Sequence, residues 1–214
     1  MGSAATIIIA DDHPLFRGAL KQALSDDGAE IIEAGDFAGA RQAAAAHPDC
    51  DLMILDLAMP GASGLSALMM IRAEYPQIPV AVISASDDQP TIRRALELGA
   101  SAFISKSSGI DDIRAAIAIV LQGGLWVPPG FDPGCEHDPE MDALIGRLKT
   151  LTPQQTRVLG MIGEGLLNKQ IAYELGISEA TIKAHVSAIL LKLNVDNRTQ
   201  AVIQLAKIGV TLPN

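Results

Sequence analysis

Five polar side chains stand at the ends of short apolar runs: Asp11 and Asp12 after Ile7-Ile8-Ile9, Asp56 after Leu52–Leu55, Ser84 after Val80–Ile83, and Lys106 just past Phe103-Ile104. Three carboxylates brought together repel, and at 4 Å each pair costs about 4 kcal/mol at an effective dielectric near 20. Such a cluster calls for a cation. Mg2+ suits it, a hard ion that accepts one or two carboxylates, keeps its waters and awaits phosphate oxygens. An aspartate beside that ion is a nucleophile able to form an acyl phosphate, because the metal and a lysine neutralise the transferring phosphoryl group. The Ser84 hydroxyl could then bond one phosphoryl oxygen and Lys106 pair with another. Singly, each has a blander reading: Asp11, Asp12 and Ser84 as helix caps, Lys106 as a solvated charge. Their common position at one edge argues for the joint reading.

That edge exists only if the apolar runs are parallel strands. Each run is followed by a stretch of helical spacing, as in Phe16, Ala19, Leu20, Ala23 and Leu24. Ile31-Ile32 leads, with Asp36 as cap, into an alanine-rich helix, and helices are predicted over Leu65–Glu74, Pro90–Leu98 and Ile110–Gln122. Continuous apolar strands between helices imply a doubly wound five-stranded parallel sheet covered on both faces. In that architecture function sits at the carboxyl ends of the strands.

Composition narrows the class. The 214 residues are 49% hydrophobic and 19% charged, with a mean hydropathy of +0.27, which excludes a disordered chain. No apolar run approaches the roughly 18 residues of a membrane span, no secretory leader is legible, and two cysteines make no disulfide framework. A cytoplasmic protein is expected. Met-Gly-Ser-Ala-Ala-Thr fits a lipidation pattern loosely, but Thr6 already opens a strand. The net charge of −9 divides unevenly: −8 over residues 1–121, −4 over 122–148 and +3 over 149–214. Two bodies of opposite sign share one chain, and the acidic one could mask the basic one.

Gly123-Gly124 and the proline-rich stretch Val127–Pro139 read as a linker. Its Cys135-Glu136-His137-Asp138 run is read as solvated loop, since one such cluster without a second pair makes no metal site. Pro139–Lys149 carries Met141, Leu144, Ile145 and Leu148 as the stripe of an amphipathic helix able to dock one domain on the other. Beyond it four helices follow. Thr152-Pro153-Gln154-Gln155 gives a capping box, Asn168 caps Lys169–Leu175, Ser178 caps Glu179–Leu193, and Asp196 or Asn197 caps the last. A helix, a glycine turn and a helix make a helix-turn-helix. Thr181, Lys183, His185, Ser187 and Lys192 punctuate the third helix between core positions, which separates it from a plain packing module.

Residues 5–121 resemble the receiver domain of bacterial two-component response regulators, in the acidic pair, Leu55-Asp56-Leu57-Ala58-Met59-Pro60-Gly61, Ser84-Ala85 and Ser105-Lys106. Residues 149–207 resemble the LuxR-type output domain in Leu151-Thr152, Asn168-Lys169-Gln170-Ile171-Ala172, Leu175-Gly176-Ile177-Ser178 and Thr181-Ile182-Lys183-Ala184-His185. Together they resemble the NarL/FixJ family. The resemblance implies a flavodoxin-like receiver over 1–122, a linker over 123–148 and a DNA-binding domain over 149–214. It implies that Asp56 is phosphorylated by a sensor histidine kinase, and that Asp12, Asp56 and the Ala58 carbonyl bind Mg2+ with Asp11 acting through water. Ser84 and Lys106 would read the phosphate, and Phe103, at the family's aromatic switch position, would act by packing because it has no hydroxyl. Ser107 departs from the proline common after the lysine. Lys183, Ala184 and Ser187 would face the major groove of promoter DNA, with Lys169, Thr181 and His185 near phosphates, in a homodimer joined through the last helix. Two rivals are a regulator that binds DNA without phosphorylation and an aspartyl-phosphate hydrolase. The hydrolase lacks an evident general acid and leaves the output domain unexplained, so no enzyme is expected beyond self-phosphorylation and dephosphorylation.

Overall fold

The computed structural model describes residues 4–26, 28–61, 64–134 and 138–208. Met1–Ser3, which open the lipidation-like pattern, and Cys135, Glu136 and His137 of the linker run lie outside them. Five strands, β1 (Thr6–Ala10), β2 (Glu30–Ala34), β3 (Leu52–Asp56), β4 (Val80–Ser84) and β5 (Ala102–Ser105), alternate with α1 (Pro14–Ser25), α2 (Phe37–Ala46), α3 (Leu65–Glu74), α4 (Gln89–Glu97) and α5 (Ile110–Leu121). All pairings are parallel, in the order β2-β1-β3-β4-β5.

Successive side chains of a strand point to opposite faces, and the apolar runs divide accordingly. Ile7, Ile9, Leu52, Ile54, Ala81, Ile83, Ala102 and Ile104 pack with α1 and α5. Ile8, Met53, Leu55, Val80, Val82 and Phe103 pack with α2, α3 and α4. Burial on both faces is why these strands read as unbroken apolar runs. Asp36 caps α2 by accepting from Gly39 N–H at 2.7 Å, as expected. Neither Asp11, Asp12 nor Ser84 is a cap: α1 starts after His13 with no side-chain bond, and Asp88 caps α4 through Thr91 N–H at 3.0 Å.

The second body comprises α6 (Pro139–Lys149), α7 (Pro153–Gly163), α8 (Asn168–Leu175), α9 (Glu179–Leu193) and α10 (Arg198–Lys207). The capping box of α7 forms, with Gln155 N–H donating to Thr152 Oγ1 and Thr152 N–H to Gln155 Oε1. Asn168 is not a cap but the first residue of α8; Leu167 precedes it, and its N–H donates to Gln170 Oε1 at 2.7 Å. Gly176 takes the left-handed conformation (φ 64°) that turns α8 into α9. Of the two candidates at the last helix, Asn197 is the cap, accepting from Gln200 N–H at 3.0 Å.

The apolar stripe of α6 is buried against the output helices, and Glu140 pairs with Lys207 at 2.7 Å. The bodies meet where α7 lies on α3, and the core beneath β3 continues through Met69 and Met70 to Val158, Leu159 and Ile162. A Cβ on Gly160 would fall 2.5 Å from Met70 Sδ, so the glycine permits the approach. Beside it Glu74 accepts from Arg41 (2.9 Å) and faces Arg157 Nε at 3.8 Å.

Candidate functional site

The strand register levels the five polar ends. Ala10 lies opposite Leu55, Asp56 opposite Ile83, and Ser84 opposite Ser105, so Asp11, Asp12, Asp56, Ser84 and Lys106 emerge along one edge. Asp11 is 0% and Asp56 1% exposed, and Lys106 Nζ stands 2.8 Å from Oδ2 of each. Burial alone would lower the lysine pKa, but the bonds from Asp11 and Asp56 outweigh it and hold the ammonium above its ordinary value. Ligand atoms of Asp11, Asp12, His13 and Asp56 all fall within 4.8 Å of one another. With one lysine ammonium among three carboxylates, acid outnumbers lysine in a largely buried place. That donor set fits a divalent, oxygen-seeking cation.

The loops behind the edge are braced by backbone bonds. Ala58 N–H donates to Asp56 Oδ1 (3.2 Å), Ser86 N–H to Ser84 Oγ (3.1 Å), and Lys106 N–H to the Ser84 carbonyl (2.8 Å). Phe103 is fully buried in β5, three residues before Lys106. Ser107, standing where many receivers carry proline, shares a 2.8 Å hydroxyl bond with Ser105.

Three residues at the site are not legible as site residues in the sequence, where Phe16 reads only as an apolar position of the first helix. His13 N–H donates to Asp11 Oδ1 (2.7 Å), and its Nδ1 stands 2.7 Å from Asp12 Oδ1. The Phe16 ring lies 5.2 Å from Lys106 Nζ, a cation–π distance. Arg17 donates to the Asp11 carbonyl (2.6 Å) and to Glu33 (3.1 Å). The one available signal was adjacency, since all three lie within six residues of Asp11 on the turn and first helix after β1.

In the output body Lys169, Thr181, Lys183, Ala184 and Ser187 are exposed on α8 and α9, whereas His185 is half-buried. Lys183 pairs with Glu179 one turn earlier, at 3.0 Å. Lys192, expected among the polar residues of α9, turns away from that face. Its Nζ donates to the Thr150 carbonyl and Gln155 Oε1, both at 2.8 Å, tying α9 to the start of α7. The receiver packs on α7, and the outward residues of α9 stand uncovered, so masking of that helix is not seen in this arrangement.

Known proteins carry the same two bodies. The family model "Response regulator receiver domain" matches residues 7–118, and "Bacterial regulatory proteins, luxR family" matches 149–205. The chain is 42% identical over 213 residues to the glycerol metabolism activator of Pseudomonas putida, covering 96% of each, and 34% identical to the nitrate/nitrite response regulator protein NarP of Escherichia coli, covering 92% of each. Among solved structures, the receiver domain of the putative response regulator NarL from Mycobacterium tuberculosis is 34% identical with a TM-score of 0.52, covering 57% of this chain and 99% of that one. The two-component response regulator RcsB, solved as a DNA complex, shares the fold over 96% of this chain and all of its own, with a TM-score of 0.56 at 24% identity. The chain therefore belongs to the two-component response regulators of the NarL/FixJ family, transcription regulators that join a receiver to a LuxR-type DNA-binding domain.

Proposed function

We propose that Asp56 takes a phosphoryl group from a sensor histidine kinase and that the resulting acyl phosphate controls binding of promoter DNA. A carboxylate oxygen of Asp56 attacks phosphorus, the P–N bond of the donor's phosphoimidazole breaks, and the electron pair leaves with the nitrogen. Asp12, Asp56 and the Ala58 carbonyl would hold Mg2+, with Asp11 acting through water; when bound, the ion screens the carboxylates from the phosphoryl oxygens. Lys106 turns its ammonium to one phosphoryl oxygen, Ser84 donates its hydroxyl to another, and Phe103 adjusts its packing behind them. The observation that carries this reading is the buried pair of carboxylates, Asp11 and Asp56, sharing the Lys106 ammonium at 2.8 Å with a third carboxylate beside them.

The reading divides the chain into a receiver over 1–122, a linker over 123–148 and an output domain over 149–214. Lys183, Ala184 and Ser187 enter the major groove, with Lys169, Thr181 and His185 at its phosphates. Two copies join through α10, where Ile203 is 51% exposed, to read an inverted repeat. The protein works in the bacterial cytoplasm, and its chemistry is confined to gaining and losing its own phosphoryl group.

A second reading, in which DNA is bound without phosphorylation, is favoured by the uncovered face of α9. One experiment separates them: affinity for promoter DNA with and without Mg2+ plus a small phosphoryl donor, for the wild type and Asp56→Asn. Coupling of the usual size, about 1–3 kcal/mol, tightens wild-type binding about 5- to 150-fold and leaves the variant unchanged. Equal binding in all four samples supports the second reading and ends the first.

A further inference from the structure

The chain between the two bodies is tied down along the free edge of β5 and the flank of α4. Trp126 N–H donates to the Ser101 carbonyl (3.1 Å) and its carbonyl accepts from Phe103 N–H (3.3 Å), which adds one parallel bridge to the sheet edge. Gln89 Nε2 donates to the Gly130 carbonyl (3.1 Å), and Gln89 Oε1 accepts from Asp132 N–H (3.2 Å). Arg93 donates to the carbonyls of Asp132 and Pro133 at 3.5 and 3.1 Å. The amide of Gln89 thus offers the linker one donor and one acceptor, as a neighbouring strand would.

Gln89 is also the first residue of α4, and the turn before it starts at the phosphoryl site. Ser84 Oγ accepts from Ser86 N–H (3.1 Å), Ser86 Oγ bonds Asp88 Oδ2 (2.9 Å), and Asp88 Oδ1 caps α4 through Thr91 N–H (3.0 Å). Residues 85–88 between these points are exposed, so little packed core resists their movement. Three hydrogen bonds therefore connect the Ser84 hydroxyl to the helix turn that holds the linker.

We propose that Gln89 is a clasp on the interdomain linker that phosphorylation opens, an inference resting on the reading above in which Ser84 binds a phosphoryl group carried by Asp56. Once the Ser84 hydroxyl turns to a phosphoryl oxygen, its own oxygen leaves the position that Ser86 N–H meets, and the exposed loop and the first turn of α4 follow. The clasp has little slack. Its bonds of 3.1 and 3.2 Å pass the roughly 3.5 Å limit of a hydrogen bond after a shift of about half an ångström. Both break together because one rigid amide makes both. Release of residues 130–132 then removes part of the linker's hold on α4 and eases separation of the output body from the receiver.

Hydrogen exchange by mass spectrometry on the full chain tests this, read on the segment 125–134 with and without Mg2+ and acetyl phosphate, with phosphoryl uptake taken from the intact mass of the same samples. In the wild type the donor should speed exchange of this segment about tenfold, the factor produced by losing one or two hydrogen bonds. Asp56→Asn should stay slow with donor present. Gln89→Leu should exchange fast without donor, respond no further to it, and still take up the phosphoryl group. Wild-type protein that is phosphorylated while this segment keeps its slow exchange overturns the clasp, as does Gln89→Leu exchanging as slowly as wild type. Absence of phosphoryl uptake by the wild type overturns instead the assignment of Asp56 on which the clasp depends.

Discussion

Replacing Gly160 by alanine separates two free energies that act on different equilibria. In the docked chain the new Cβ would stand 2.5 Å from Met70 Sδ, 3.2 Å from its Cε and 3.4 Å from its Cγ. Met70 is buried, so its thioether must move within a packed interior, and overpacking of this kind costs about 1–3 kcal/mol. That cost falls only on the contact of α7 with α3. Within α7 itself the substitution gains about 1 kcal/mol, the usual advantage of alanine over glycine in a helix interior. The output body should thus be no less stable in Gly160→Ala, while docking weakens by about one to two powers of ten at 1.4 kcal/mol each. Small-angle scattering should show a larger radius of gyration for the unphosphorylated variant, and circular dichroism an output transition unmoved or raised. An unchanged scattering curve would mean that Met70 repacks freely and that the glycine does not govern the approach. A lowered output transition would refute the claim that the cost is confined to docking.

Two further outcomes follow from the same geometry. At a hundred times its dissociation constant Mg2+ should stabilise the wild-type receiver by about 2.7 kcal/mol, and Asp12→Asn, with one ligand charge fewer, should gain less in a melting series with and without the ion; equal gains would remove Asp12 from the ligand set. Asp88→Ala should cost about 1 kcal/mol by loss of the α4 cap; burial pushes the Asp88 carboxyl up, but bonds from Thr91 and Ser86 outweigh it and hold it below its ordinary value, so the cap's contribution is complete above the ordinary carboxylate range and lost as pH falls through the lowered value. Urea midpoints of both proteins over an acid series check the sign, and a difference that widened on acidification would contradict it.

The sheet was legible because the two strand faces impose one requirement each, and runs such as Ile7-Ile8-Ile9 satisfy both at once. Asp36, Thr152 and Ser178 were legible as caps, and Asn197 as one of two candidates, because a short polar side chain before a helical pattern has one economical use. Asn168 failed that rule because it is the first residue inside the helix; Leu167 precedes it and has no side-chain acceptor, and at this end the Leu167 N–H donates to the Gln170 side chain. At the site, the carboxylates and the lysine could be found because topology alone aligns strand ends. His13 and Phe16 could not, for their roles depend on how the turn after β1 folds back over that edge. The bridge of Trp126 to β5 was equally hidden, because one residue of pairing has no period to detect.

The redirected lysine of α9 bears on how such a protein is controlled. With Lys192 committed to Thr150 and Gln155 and Lys183 shared with Glu179, little cationic charge on the outward face of α9 is offered to DNA phosphates. Non-specific affinity grows with each phosphate neutralised, so under the proposed contacts Lys169 of α8 is left as the main exposed cation and one output body should bind weakly even with α9 uncovered. Covering that face would therefore gain the resting state little. In the proposed dimer the second output body binds intramolecularly once the first is in place, which raises affinity without added charge. Holding the linker and α7 against the receiver restricts how two copies can be brought together. Control by tethering rather than by masking is thus consistent with a receiver that packs on α7 and leaves α9 in solvent.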